Sequence, residues 1–88
     1  MFEVSDSKNS PILYLTLKTT DYSGNVSITW PSGIYPDSTN SYFENVETGL
    51  NGGSTTIEFS SNSEYSFQFY KNNPETVYSE NDFSVKGE

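Results

Sequence analysis

The sequence predicts an all-β fold: a two-sheet antiparallel β-sandwich of about seven strands, forming one domain over residues 1–88. The chain has no alanine and few of the long side chains that favour helices, whereas aromatic residues make up 16% of it. Apolar and polar residues alternate in short runs, which is typical of antiparallel strands with one buried face. Turn residues separate these runs at intervals of roughly 8–12 residues, which favours a sandwich or a barrel over parallel βαβ units.

Alternation of apolar and polar residues defines the individual strands. The predicted strands cover residues 2–6, 12–19, 25–30, 41–47, 54–60, 64–71 and 81–86. Their clearest inward positions are Leu13, Leu15 and Leu17; Val26, Ile28 and Trp30; Ile57 and Phe59; Tyr65, Phe67 and Phe69; and Phe83 and Val85. In the fourth strand, Tyr42 and Val46 compete with Phe43 for the inward face, and the pattern leaves that register open. We therefore expect a largely aromatic structural core built on Trp30, Phe59, Tyr65, Phe67 and Phe69.

Turn residues with known backbone preferences separate the strands. Residues 21–25 contain glycine, asparagine and aspartate, which tolerate positive φ. Pro31 cannot donate to a ladder and should end the strand before it. The run 51–53, Asn-Gly-Gly, is the strongest turn signal and should precede the fifth strand. Residues 32–40 are predicted to be a loop.

Composition excludes several classes of function. Twelve carboxylates against four lysines give a net charge of −8, and there is no arginine. Nucleic acids and anionic membranes are bound by cationic groups, so neither is an expected partner. The absence of cysteine removes disulfides and thiolate zinc sites. Because histidine is absent as well, the usual general base and the thiolate nucleophile are both missing, and we predict that the protein is not an enzyme.

Two segments resemble a fibronectin type III domain, an immunoglobulin-like β-sandwich, of the phage or bacterial surface type. The run 26–31, Val-Ser-Ile-Thr-Trp-Pro, resembles that family's second strand, which carries a buried tryptophan before a proline-rich bend. The residues that resemble its sixth strand and the corner before it are Phe59, Tyr65, Phe67 and Phe69. The resemblance, which spans about residues 13–85, implies a tyrosine corner in which the Tyr65 hydroxyl returns to nearby backbone. It departs from the family at Ser61, where the family has a proline.

Five tyrosines lie in predicted loops or opposite the predicted core face, and they are the candidate binding residues. They are Tyr22, Tyr35, Tyr42, Tyr70 and Tyr78. Tyrosine is a preferred anchor of protein interfaces, because its ring is apolar and its hydroxyl forms hydrogen bonds. Packing at the sheet margins and stacking on sugar rings are the alternatives.

Two groups of oxygen-bearing side chains are candidate calcium ligands. They are Asp37, Asn40, Glu44 and Glu47, and then Glu80, Asn81 and Asp82. Calcium takes six to eight oxygen ligands, but neither group has the spacing of a known calcium loop. We therefore predict solvated acidic loops and no cofactor, with calcium as the alternative.

These observations together predict a non-enzymatic structural and binding module. Serine, threonine and asparagine supply 33 of the 88 residues, which suits the outer faces of a protein that persists outside cells. No signal peptide is recognisable, so we expect a protein made in the host cytoplasm. The predicted role is a small accessory protein of a phage virion, in capsid decoration or associated with the neck or tail. It would dock on a larger structural protein, with symmetric homo-oligomers as a further expectation. The alternative is an extracellular or cell-surface carbohydrate-binding or adhesion module from a larger secreted bacterial protein.

Overall fold

The computed structural model describes residues 2–18, 23–37, 39–43, 49–60 and 63–87. Within these residues seven strands form: β1 (Phe2–Ser5), β2 (Ile12–Lys18), β3 (Gly24–Trp30), β4 (Ile34–Pro36), β5 (Gly53–Phe59), β6 (Glu64–Lys71) and β7 (Ser84–Gly87). They build a four-stranded sheet of order β1-β2-β6-β4 and a three-stranded sheet of order β5-β3-β7. Every ladder between them is antiparallel. The predicted all-β, two-sheet antiparallel architecture is therefore confirmed.

The inward stripes of the two sheets meet in one aromatic core. Trp30 of β3 lies 5.7 Å from Phe69 of β6 between ring centroids, and Phe59 of β5 stacks on Tyr65 of β6 at 4.3 Å. The buried hydrophobic residues are Leu13, Leu15, Leu17, Val26, Ile28, Trp30, Ile34, Phe43, Ile57, Phe59, Phe67, Phe69 and Phe83. Tyr65 is partly buried and packs against this cluster. Rings in tilted and stacked contact thus do much of the packing between the two layers.

The predicted fourth strand is wrong over the part that the structure describes. Ser41–Phe43 form a short 3₁₀ helix, because the Asn40 side chain accepts a hydrogen bond from the Tyr42 N–H at 3.0 Å and the Asn40 carbonyl accepts one from the Phe43 N–H at 2.9 Å. Phe43 is completely buried and Tyr42 is 40% exposed, so Phe43 is the residue that faces the core. Residues 44–47 of that prediction lie outside the described residues.

The predictions for residues 32–40 and for the last strand also need correction. Residues 32–40 were expected to be a loop, but β4 lies within them and pairs with β6, burying Ile34 and Pro36. A proline is compatible with β4 because this strand is at the edge of its sheet. The last strand starts three residues later than expected, because Glu80–Asp82 form a second 3₁₀ helix.

A glycine lets β5 approach the tryptophan of β3. Gly53 pairs with Trp30 across the β3–β5 ladder. A Cβ placed on Gly53 would come within 2.8 Å of the indole Cζ2, closer than real contacts allow. The Asn-Gly-Gly run therefore serves both the turn before β5 and the packing of the core.

A buried ion pair joins the β1–β2 loop to the end of β6. Lys71 Nζ lies 2.9 Å from Asp6 Oδ1, and both side chains are completely buried. The ammonium also donates to the carbonyl oxygens of Ser7 and Pro74 at 3.3 and 3.1 Å. The second Asp6 oxygen accepts the backbone N–H of Tyr78 at 2.9 Å. Each ammonium proton therefore has an acceptor, as a buried charge requires.

Candidate functional site

The two outer faces of the sandwich differ in chemistry. The outward residues of the three-stranded sheet are Asn25, Ser27, Thr29, Ser54, Thr56, Glu58, Ser84 and Lys86. None of these is aromatic or aliphatic, and we call this surface the hydroxyl face. The four-stranded sheet instead presents Ile12, Tyr14, Tyr35, Gln68 and Tyr70, which we call the tyrosine face. Large apolar side chains are thus confined to one of the two outer faces among the residues described.

The strand register sets three of these side chains in one row. Tyr70 of β6 lies opposite Ile12 of β2 on one side and opposite Tyr35 of β4 on the other. Tyr14 is the next outward residue along β2, opposite Gln68, and it is 41% exposed. Outward residues on neighbouring strands are within contact range of long side chains. The row and Tyr14 therefore form a continuous patch across three strands.

The rings of Tyr35 and Tyr70 pack against each other. Their centroids are 5.3 Å apart and their planes differ by 31°. This separation is too short for two rings lying side by side in one plane, so each ring turns part of one face toward the other. The pair can consequently pack against a partner with its remaining surface and form hydrogen bonds through its hydroxyls. It is less suited to stacking on a ligand, because it does not offer two open ring faces.

The charged side chains that the structure describes on this face lie on one side of that row, and we call them the rim. Glu3 of β1 lies opposite Thr16, and Glu64 of β6 lies opposite Lys18 of β2. Asp37, which follows β4, donates its backbone N–H to the Gln68 carbonyl at 3.0 Å. The rim, consisting of Glu3, Asp37, Glu64 and Lys18, therefore holds three carboxylates and one ammonium.

The carboxylate of Asp37 is fixed within its own loop. It accepts hydrogen bonds from the side chain and the backbone N–H of Thr39, at 2.7 and 3.0 Å. The bond from the Thr39 hydroxyl, followed by the bond from its N–H, lowers the pKa of Asp37 from the ordinary value. The charge at this side of the rim is therefore held in place and persists at neutral pH.

Tyr14 and Ile12 belong to the patch, although neither was among the five candidate binding residues. The alternation in the second predicted strand already pointed both of them away from the core. What the sequence did not show is that β2 lies beside β6, which brings them next to Tyr70. The missing information was strand order, because the orientation of each side chain was already predicted.

Tyr42 lies away from the tyrosine face. Its ring is edge-on to those of Tyr65 and Phe67, at 5.9 and 5.8 Å between centroids. Burial raises the pKa of Tyr42, and the charge of Tyr65 and a hydrogen bond with its side chain add to the effect. Tyr65, the expected corner residue, is thus engaged with another tyrosine, and corner residues 61–62 lie outside the described residues.

Tyr78 is also absent from the tyrosine face. It is partly buried against the core, and its hydroxyl donates to the Ser32 carbonyl at 3.3 Å, directly over Gly33. Burial raises the pKa of Tyr78, and the charges of Asp82 and Asp6 add to the shift. Tyr22 lies outside the described residues. Of the five predicted binding tyrosines, the structure therefore brings Tyr35 and Tyr70 together.

Three of the oxygen donors considered for calcium, Asp37, Asn40 and Asp82, accept hydrogen bonds from within their own loops. The Asn40 side chain accepts the Tyr42 N–H, and Asp82 Oδ2 accepts the Ser79 N–H at 2.9 Å. Within the described part of the chain, no three or more aspartates and glutamates are grouped so that they could hold a metal ion. The remaining two members of the first group, Glu44 and Glu47, lie outside that part.

Glu80 closes an open position at the edge of the four-stranded sheet. Its Oε2 accepts the backbone N–H of Val4 in the edge strand β1 at 2.6 Å. This hydrogen bond is the main reason why the pKa of Glu80 lies below its ordinary value. A side chain from the second 3₁₀ helix therefore occupies a donor that another strand would otherwise use.

One Ser-x-x-Lys spacing, the arrangement found in some serine hydrolases, occurs from Ser5 to Lys8. Ser5 ends β1 and Lys8 lies in the following turn, and both are exposed. A three-residue spacing brings side chains to one face on a helix, whereas this segment runs from a strand into a turn. The spacing therefore adds no residue to the candidate site.

Comparisons with known proteins assign no function to the site. No family model matches the chain, and neither the curated proteins nor the solved structures contain a significant match. The described segments contain no helix with the length and apolar character needed to cross a membrane.

Proposed function

We propose that the protein is a non-enzymatic binding module that docks on a larger protein through the tyrosine face. The observation that carries this proposal is the difference between the two outer faces. A solvated face of an antiparallel sheet is expected to be polar, as the hydroxyl face is. The other face carries Ile12, Tyr14, Tyr35 and Tyr70, and tyrosine is enriched in the buried centres of protein interfaces.

A carbohydrate-binding or adhesion module is the second candidate. It is favoured by the hydrogen-bonding groups beside the rings, notably Gln68 and the hydroxyl of Thr16. The mutual packing of Tyr35 and Tyr70 argues for protein instead, because each ring covers part of the other's stacking surface. Binding of a glycan is therefore the alternative outcome of the experiment.

The test compares matched variants of the two faces. Proteins that can be cross-linked to position 14 or position 70 of this chain would be identified by mass spectrometry. Each would then be purified, and its affinity for the chain would be measured by isothermal titration calorimetry. The double variant Tyr35→Ser/Tyr70→Ser should bind at least about tenfold more weakly, because central tyrosines commonly contribute above 1 kcal/mol each. The control Thr29→Ala/Thr56→Ala on the hydroxyl face should change the affinity less than about twofold.

Two results would contradict this proposal. Equal losses in the two double variants would show that the tyrosine face has no special role. A glycan that binds the wild type on an array and loses binding in Tyr35→Ser/Tyr70→Ser would favour the carbohydrate-binding module.

The setting on a phage particle remains a prediction of ours. It is supported by the many uncharged hydrogen-bonding side chains and by the net charge of −8, which would keep crowded particles apart. Finding the protein at a fixed stoichiometry in purified particles, by quantitative mass spectrometry, would support it. Detection solely in a secreted, larger polypeptide would support the adhesion alternative.

We also propose an immunoglobulin-like arrangement in which β7 takes the position of the first strand of that fold and β2 takes the position of its last strand. Immunoglobulin-like sandwiches place strands A, B and E in one sheet and C, F and G in the other. If β3, β4, β5 and β6 correspond to B, C, E and F, then β7 takes the place of A and β2 that of G. This correspondence keeps Trp30 on the second strand and Tyr65 on the sixth, as the resemblance to fibronectin type III domains implies.

Cysteine pairing tests the position of β2 beside β6. Thr16 and Ser66 are directly opposite each other across β2 and β6 on the outer face. Thr16→Cys/Ser66→Cys should therefore form an intramolecular disulfide under mild oxidation, because opposite Cβ atoms in a ladder are close enough. The control Thr16→Cys/Thr56→Cys joins opposite faces and should remain reduced.

A further inference from the structure

We propose that Asn51 is a site of spontaneous modification, at which the side-chain amide is lost and the residue becomes isoaspartate or aspartate. Asn51 belongs to the Asn-Gly-Gly run before β5 and is not part of the tyrosine face. Three features support the site: the exposure of Asn51, the glycine that follows it, and the contacts that hold the backbone on both sides.

The reaction needs only the chain itself and water. The backbone nitrogen of Gly52 loses its proton to the solvent and attacks Cγ of the exposed Asn51 side chain. A bond forms between this nitrogen and Cγ, the bond from Cγ to Nδ2 breaks, and the amide nitrogen takes up a proton and leaves as ammonia. Water then opens the resulting cyclic imide at one of its two carbonyls, which gives aspartate or isoaspartate. No atom is oxidised or reduced, so neither an oxidant nor a reductant is required.

The glycine after Asn51 leaves the attacking nitrogen accessible, because a hydrogen replaces the side chain that would hinder ring closure. The fold requires this glycine. Gly52 has a φ of +79°, and a Cβ on it would come within 3.0 Å of the Trp30 carbonyl oxygen and 3.4 Å of the Pro31 carbonyl carbon. A larger residue would therefore strain the backbone, so the entry into β5 keeps Asn51 next to the residue that favours the attack.

Other asparagines are less suited to this reaction. Asn73 precedes Pro74, which has no N–H to lose. Asn25 precedes Val26, a β-branched residue within the ladder between β3 and β5. Asn51 is the one asparagine in the sequence that a glycine follows. Position 51 should therefore react first.

The backbone is held on both sides of Asn51, which makes isoaspartate the disruptive product. On one side, the Leu50 carbonyl accepts the Gly33 N–H at 2.9 Å. On the other side, Gly53 pairs with Trp30 and lies against its indole ring. Isoaspartate routes the main chain through Cβ and so adds a methylene between these two attachments, whereas aspartate leaves the main chain unchanged. The isoaspartate form should therefore be less stable than the aspartate form.

Ageing of the purified, intact protein tests the modification. Samples kept in mildly alkaline and in mildly acidic buffer would be digested and analysed by peptide mass spectrometry, with isoaspartate counted by enzymatic methylation. Asn51 should lose its amide at least about tenfold faster than any other asparagine, and faster in the alkaline buffer, since the attacking nitrogen must lose a proton. The matched control Asn51→Gln keeps an amide but would have to close a larger ring, so position 51 should stay unmodified.

Melting of the separated products tests the effect on the entry into β5. The isoaspartate form, purified by chromatography, should melt roughly 4–8 °C below the fresh wild type. The variant Asn51→Asp carries the same added charge without the added methylene. It should melt within about 3 °C of the wild type, because Asn51 is exposed.

Four results would contradict these expectations. A rate at Asn51 no higher than at the other asparagines, aspartate without isoaspartate, or equal rates in the two buffers would overturn the proposed reaction. Equal melting temperatures for the isoaspartate form and Asn51→Asp would overturn the expected strain and leave the modification site standing.

Discussion

The substitution Asp6→Ala tests how strongly the buried ion pair holds the molecule together. It removes the carboxylate that lies 2.9 Å from the Lys71 ammonium. It also removes the acceptor of the backbone N–H groups of Ser7 and Tyr78, at 2.8 and 2.9 Å. The ammonium would keep its two carbonyl acceptors, Ser7 and Pro74, but it would have no counter-charge from this residue.

The expected loss follows from these contacts. Removing one partner of a buried ion pair costs about 3–5 kcal/mol, because the other charge stays away from water. The lost backbone acceptors act in the same direction, and their costs are not simply additive. A domain of this length has a total stability of roughly 4–13 kcal/mol, so the substitution should remove between about a quarter and all of the free energy of unfolding. The melting temperature of the variant should fall by about 12 °C or more.

Thermal and urea unfolding, followed by the fluorescence of Trp30 and by circular dichroism, would measure this loss. The exposed Glu58→Ala serves as the control and should change stability by less than about 0.5 kcal/mol. The double variant Asp6→Leu/Lys71→Met should lose less than Asp6→Ala alone, because no charge is left buried. A loss below about 1 kcal/mol in Asp6→Ala, or a larger loss in the double variant, would refute the reasoning.

Three further substitutions test other parts of the fold. Gly53→Ala should cost about 1–3 kcal/mol in urea unfolding, because its methyl group would overlap the indole ring, whereas Gly49→Ala has open space and should be near neutral. Phe43→Ala should cost about 3–5 kcal/mol, and much more than Tyr42→Ala, since the phenylalanine is completely buried; equal effects would place the wrong ring in the core. Glu80 has a lowered pKa, so its stabilising contribution is complete above its ordinary value of 4.5 and is lost as the pH falls through the lower folded value. The melting temperature of Glu80→Gln should therefore lie below that of the wild type at pH 7, with the gap closing in acid; a gap that stays constant down to pH 2 would argue against the hydrogen bond to β1.

The strands with strong alternation could be predicted from the sequence almost to the residue. The prediction for β6 matches the structure at both ends, and β3 ends at Trp30, directly before Pro31, as expected. Alternation was informative there because one face of each strand is buried and the other is polar. It failed at Ser41–Phe43, where the backbone follows the local hydrogen bonds of Asn40, which have no period of two.

The candidate site depended on information that alternation does not contain. The prediction that Tyr35 and Tyr70 are opposite the core rested on residues within each strand or loop, and they do share a face. Their contact with each other, and the position of Ile12 beside them, depend on which strands are neighbours. In this chain β2 lies next to β6 and far from it in sequence, so the patch could not be assembled before the strand order was known.

The same strand order has a consequence for how the chain is synthesised. When β2 leaves the ribosome, β1 is the one neighbour already available to it, and its other neighbour follows about fifty residues later. Contacts this distant along the chain slow folding. The nascent β2 must therefore wait for most of the polypeptide, with the leucines of its inner face still unshielded, and a host with ample holding chaperones should raise the yield of soluble protein.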